Sequence, residues 1–247
     1  MAAGNSDRAH VSADEFSDLF GALSTWGRWG EGDQRGALHY DGHTHIDAFC
    51  HVSYDGSLYN GQPPDAVTAE GAGVDAIDVL KDGLVGRGVL LDVPRLRGVP
   101  WLEPGEHVFR DELEAAEREQ RVTVGEGDIL MVRTGHTRRL QELGPWDTTT
   151  AKAGLHPTVM PFVAQRGVSA LGSDGNSDTA PSSTEGVSFP IHVLALNAMG
   201  VHLLDYLQFE DLVGHCEAAG RWEFLFAAAP LRIVRGTGSP LNPIAVL

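Results

Sequence analysis

The sequence predicts an α/β protein with a mixed sheet, and three observations carry that prediction. Short apolar runs bounded by glycine or charge alternate with segments of helical period. Glycine-rich, hairpin-like stretches interrupt the alternation, so the sheet is not a plain doubly wound one. The 247 residues are 42% hydrophobic and 21% charged, enough to bury a full core and within the length of one large domain.

The elements follow in order. Ser12 and Glu15 have capping-box spacing, and Phe16, Leu19 and Phe20 recur at helical period after them. A helix therefore opens the chain, in a segment 1–25 that packs on the surface of a single domain, 26–247. Past a Gly/Trp-rich turn, 26–36, comes the histidine-rich stretch 41–51, DGHTHIDAFCH, and a turn at 54–56. Residues 88–92 and 129–134 read as strands buried on both faces, with a charged helix over 111–120 between them. A helix over 158–165, a strand over 168–171, a helix over 189–199 ending at Gly200 and a strand over 201–207 repeat the pattern. Residues 210–219 form a helix, and 222–234 two strands around Pro230. The stretch 173–188, rich in Asp, Ser, Gly and Pro, is a long loop of the size that usually carries function.

Charge and composition narrow the function. Eighteen basic against 34 acidic residues give a formal charge of −16, which repels phosphate backbones and anionic lipid. Nucleic acid and membrane are poor partners. No signal peptide or transmembrane segment is visible, which points to the cytoplasm, where Cys50 and Cys216 are buried thiols. No GxSxG elbow and no dinucleotide fingerprint is present.

In an extended segment, side chains two residues apart share a face, so His43, His45 and Asp47 converge if this stretch is a strand. Two imidazoles and a carboxylate form a mixed N/O donor set, suited to Zn²⁺, Mn²⁺ or Fe²⁺ better than to Ca²⁺ or Mg²⁺. His51, four residues on, is placed to move protons. Further donors come from His192, His202 and Asp205. The bland alternative is that these histidines hydrogen-bond locally, and His136 and His156 read as structural. Asp174 and Asp178 either orient a ligand histidine, bind substrate or serve as turn residues. Trp26, Trp29 and Trp101 either wall an aromatic pocket or pack in the core.

These segments resemble the cyclase family of metal-dependent hydrolases, which includes bacterial kynurenine formamidase, isatin hydrolase and polyketide ring cyclases. The matching stretches are THIDAFCHV (44–52), YDGSLYNG (54–61), GRGVLLDV (86–93), GDILMVRTG (127–135), GSDGNSD (172–178), PIH (190–192) and GSPLNP (238–243). The resemblance implies a swivelling β/β/α fold, one or two divalent ions (Zn²⁺ or Mn²⁺), and hydrolytic attack on an amide, lactam or lactone carbonyl of a small molecule. It implies His45, Asp47, His192 and Asp205 as metal ligands, His51 as the general acid/base, and a homo-oligomer, dimer or tetramer; Trp26, Trp29 and Asp174 stand beside it as the candidate substrate contacts. Formamidases of the family carry Glu at the Asp205 position. They carry a further ligand histidine at the Asp41 position, so either Asp41 substitutes as an oxygen ligand or His43 takes that place. Two alternatives stay open: a cyclase or dehydratase of polyketide type using the same metal, and a non-catalytic relative that binds a metabolite.

Overall fold

The computed structural model describes residues 10–24 and 43–247. Helix α1 (Ala13–Leu23) begins on the capping box: the Ser12 hydroxyl accepts from the Glu15 amide, and Glu15 accepts from the Ser12 amide. The helix does not simply lie on the surface, because Phe16 is fully buried and Val11 pairs with Thr184 in the long loop. Strand β1 (His45–Asp47) follows, then a short hairpin of β2 (Val67–Thr68) and β3 (Gly71–Ala72). Next come β4 (Leu84–Asp92), α2 (Val93–Arg97), β5 (His107–Val108), α3 (Arg110–Gln120), β6 (Ile129–Arg133), α4 (His136–Leu143), β7 (Gly154–Leu155), α5 (Met160–Arg166) and β8 (Ala170–Ser173). Helix α6 (Pro190–His192) continues as a π-helical stretch, Val193–Met199. After it stand β9 (His202–Asp205), α7 (Glu210–Ala219), β10 (Glu223–Ala228), β11 (Gly238–Pro240) and β12 (Ile244–Val246).

Eight of these strands form one mixed sheet in the order β11-β1-β9-β8-β6-β4-β10-β12. The middle four are parallel, whereas β1 with β11 on one side and β10 with β12 on the other pair antiparallel. Parallel strands need cover on both faces, and β6, β8 and β9 are buried at every position, as their continuous apolar runs require. Strand β10 alternates instead, with Leu225 exposed between buried Phe224 and Phe226. Helices α1 and α5 pack with the π-helical stretch, and α3 packs on β4.

Three elements depart from expectation. Beyond Pro230, which has no amide to donate, residues 231–234 form no strand, and the sheet is resumed only at β11. His136 heads helix α4 instead of closing a strand, since Gly135 turns the chain at a φ of +80° in front of it. The helix predicted over 189–199 widens into a π turn, and it stops as foreseen at Gly200, φ +65°, where the Tyr59 ring occupies the space a Cβ would need. Cys50 and Cys216 are both buried, and burial pushes the Cys216 thiol up to about 11. No helix among the described residues is long and apolar enough to cross a membrane.

Candidate metal centre

Pairing of β1 with β9 builds the centre. His45 stands opposite Asp205, and alternation along β1 puts Asp47 on the same face while Ile46 enters the core on the other. His45, Asp47 and Asp205 are all fully buried, and one ligand atom from each lies within 4.8 Å of the others. The His45 ring has a defined tautomer: Nδ1 contacts the His43 carbonyl at 2.7 Å, and a carbonyl only accepts, so Nδ1 carries the proton. Its Nε2, 3.7 Å from Asp47 Oδ1, thus presents a lone pair to the cluster.

His192 completes the arrangement from α6. Its Nδ1 donates to Asp178 Oδ2 at 2.6 Å, while Nε2 lies 3.3 Å from Asp47 Oδ2 and 3.5 Å from Asp205 Oδ2. Asp178 is fixed in turn by the Ile191 and His192 amides, at 2.6 and 3.2 Å. Asp205 accepts from the Ser177 hydroxyl at 2.6 Å and from the Ser177 amide. The long loop 173–188 therefore supplies the groups behind both ligands, as carboxylates and hydroxyls do behind metal-bound histidine and aspartate.

The electrostatics call for a cation. Burial raises the Asp205 carboxyl above its ordinary range and Asp47 raises it further, against the pull of His192. Burial alone would lower His192, yet hydrogen bonds to Asp178 and Asp47 and the charge of Asp205 lift it well above the usual histidine value. Three buried carboxylates around two imidazoles thus bring carboxylate oxygens and ring nitrogens together at one point. That mixed N/O donor set fits a divalent metal.

The other candidate residues fall in different places. His43 is exposed in a bend before β1, so it does not share the face of His45 and Asp47; the strand starts only where β9 can pair with it, and the His43 carbonyl is used by His45. His51 lies on a 3₁₀ turn after β1, half-buried, its ring centroid 6.3 Å from that of His192. His202 is on the opposite face of β9 from Asp205; it stacks on Phe49 at 4.2 Å and donates through Nδ1 to the Asp47 carbonyl at 2.8 Å. Asp174 is buried behind the end of β6, where Oδ1 accepts from the Thr134 amide and hydroxyl; burial raises its carboxyl. Trp101 donates to Glu103. Trp26, Trp29 and Asp41 lie outside the described residues.

Sequence reasoning passed over Ser177, Tyr206, Lys152, Phe189 and Trp146. Tyr206 follows Asp205 at a φ of +56°, and its ring lies 5.9 Å from His45 and 5.6 Å from His136. None of these carries a local pattern, because each lies in a loop or a left-handed turn.

Comparisons with known proteins agree with this architecture. No curated protein sequence matches the chain. A crystal structure described as a novel cyclase is 26% identical, with a TM-score of 0.82, over 91% of this chain and 100% of that one. Isatin hydrolase A from Ralstonia solanacearum, 22% identical with a TM-score of 0.57, shares the fold over 83% of this chain and 71% of its own. So does a potential metal-dependent hydrolase with cyclase activity, 17% identical with a TM-score of 0.52, over 83% and 77%. The family model described as "Putative cyclase" matches residues 18–178, from α1 through the metal cluster's β1 to Asp178, and the chain therefore belongs to the cyclase family.

Proposed function

We propose that this protein is a metal-dependent hydrolase that cleaves a C–N bond (amide, formamide or lactam) or a lactone in a small aromatic or cyclic substrate. The observation that supports it is the convergence of His45, Asp47 and Asp205 within 4.8 Å, with His192 Nε2 against both carboxylates. These four residues would hold the ion, Zn²⁺ or Mn²⁺. A divalent metal there supplies Lewis acidity for the carbonyl oxygen and lowers the pKa of water toward ~7.

The chain's own groups do the rest. Donation from His45 Nδ1 to the His43 carbonyl, and from His192 Nδ1 to Asp178, keeps each Nε2 aimed at the cluster. His51 accepts the proton of the attacking water and delivers it to the leaving nitrogen or oxygen, and what supports this is its half-buried place on the turn after β1, with its ring 6.3 Å from that of His192. Cluster burial keeps the reacting carbonyl in a medium where charges act strongly.

Elemental analysis of protein purified without added metal, followed by assays with formyl-aryl amides and lactones, tests the reading. The expected result is about one or two equivalents of zinc or manganese, lost in His45→Ala and Asp47→Ala. His51→Ala should keep its metal and lose activity by about 10²-fold or more. Protein that cannot be loaded with either metal sinks the reading. The resemblance to a novel cyclase at 26% identity favours a second one, ring closure of a poly-β-keto chain by the same residues, which the same protein would reveal by converting that substrate and no amide.

A further inference from the structure

Between α4 and β7 the backbone of Lys152 pairs with that of Ala180 in the long loop, amide to carbonyl in both directions at 3.0 Å. This pairing sets Lys152 beside Phe189, the ring that neighbours His192. Only 7% of Lys152 is exposed, its Nζ lies 5.3 Å from the Phe189 ring centroid, and that ring is 5.9 Å from His192. Lysine is almost never buried to this degree without a counter-charge, because a desolvated ammonium is costly. Among the described residues no carboxylate pairs with it, and it meets the aromatic face of Phe189 instead.

The neighbouring bases and cations are already engaged. Arg139 lies 4.4 Å over the Trp146 ring and pairs with Glu103 at 3.2 Å. The His136 ring, 4.8 Å from Trp146 and 5.6 Å from Tyr206, is neutral at ordinary pH, since burial first and then the charges of Lys152 and Arg139 push it down to about 4. It fits there because residue 175 is glycine; a Cβ would stand 2.9 Å from His136 Nδ1. Contacts thus run from Lys152 through Phe189 to His192, and from Trp146 through the neutral His136 ring to Tyr206 and His45, with no carboxylate of the described residues paired to Lys152.

We propose that Lys152 is a specificity residue that binds a carboxylate borne by the substrate, so that the protein acts on small aromatic acids in preference to neutral amides. The proposal rests on the hydrolase reading for the word substrate, and on the burial of Lys152 beside Phe189 and His192 for the rest. A chain with a formal charge of −16 repels anions at long range, so an anionic ligand needs a dedicated cation at its destination. An arriving carboxylate turns a costly buried ammonium into a charge-assisted pair, whereas a neutral ligand leaves it without one.

Binding of benzoate and benzamide to metal-free protein, followed by ligand-observed NMR, tests this without any turnover. Wild type should prefer benzoate by about tenfold or more, the scale of a charge-assisted hydrogen bond. Lys152→Met should abolish the preference, and Lys152→Arg should keep much of it. His45→Ala should leave it intact, which separates the lysine's action from that of the metal centre and from failure of the hydrolase reading. Lys152→Met should also melt at the same temperature as wild type or higher, because it removes an uncompensated buried charge. Equal binding of the two probes, an unchanged preference in Lys152→Met, or a fall in its melting temperature would each overturn the proposal.

Discussion

Two buried charge clusters stand at the C-terminal ends of the parallel strands, and they are built on opposite terms. At the ends of β4 and β6, the Arg133 guanidinium makes a bidentate pair with Glu210 at 2.9 Å and a further bond to Asp92 at 3.0 Å. Asp92 also caps α2 through the Arg95 amide, and those acidic partners hold the Arg133 pKa up against its burial. At the end of β9, Asp205 and Asp47 face each other with Asp178 behind His192, whose Nε2 lies 3.3 Å from Asp47 and 3.5 Å from Asp205. The first cluster is complete from the chain's own residues. The second sets three carboxylates against two histidines, and its donor set suits a cation from outside. Burial of charge is structural where the chain supplies the counter-charge, and it marks a ligand site where the chain withholds it. Lys152 follows the same logic with the sign reversed.

The largest effect expected from this contrast is at Arg133. Arg133→Met leaves Asp92 and Glu210 without their cation, and urea unfolding should report a loss of about 3–5 kcal/mol. Asp205→Asn in metal-free protein should cost little or nothing, because it relieves repulsion from Asp47 while an amide oxygen still accepts from Ser177. A small loss at Arg133, or a large one at Asp205, would erase the distinction. Metal should then act as the missing member of the second cluster. Zn²⁺ or Mn²⁺ at a hundred times its Kd should stabilise wild type by about 2.7 kcal/mol, and chelation should reverse the gain. Asp205→Asn should show a much weaker response in the same thermal melts.

How much of this was legible in the sequence depends on the range of the interaction. Helix α7 (Glu210–Ala219) and strand β6 follow local periodicity and punctuation and form where those signals place them, whereas β4 extends the predicted 88–92 back to Leu84, where it pairs with β10. The period of two in THIDA put His45 and Asp47 on one face. It could not show that β1 begins at His45, because that limit is set by β9 and leaves His43 outside. Helix α4 went unread because it buries little: Thr137 is its one buried residue, and Leu140 and Leu143 face solvent. Lys152 left no local sign, since its burial comes from a two-residue bridge to a distant loop. Ser177 and Asp178 were visible as part of a polar loop, but only the folded chain shows which ligands they hold.

A third buried polar group refines the contrast, because it is a base with no acid partner. His107 is buried beside His156, with ring centroids 5.4 Å apart, and the Arg97 guanidinium bonds its carbonyl. Burial, then the charges of His156 and Arg97, lower its pKa to about 4 from an ordinary 6.5. The fold therefore favours the neutral ring. The stability this contributes is intact above the unfolded value and is lost as pH falls through 6.5 toward 4. Discounted for incomplete burial, the loss attributable to this group is about 2 kcal/mol. Urea unfolding of His107→Gln at pH 7 and at low pH should show that much less acid destabilisation than wild type, and equal slopes would show that the ring protonates freely in the fold.

The smallest effect comes from removing burial altogether. Arg138 and Glu142 pair at 2.8 Å across one turn of α4, the same separation class as Arg133 with Glu210, but both side chains are about half exposed. Water already solvates each charge there, salt screens the pair, and two long side chains must be ordered to hold it. A double-mutant cycle with Arg138→Ala and Glu142→Ala should give a coupling of about 0.3–0.5 kcal/mol, falling as salt is added. The equivalent cycle between Arg133 and Glu210 should give several times more and resist salt, because solvent reaches only 5% of the Arg133 side chain. Equal couplings in the two cycles would mean that burial does not set the strength of these pairs, and the reading of the Asp47–Asp205 cluster as a charge awaiting its partner would lose its physical basis.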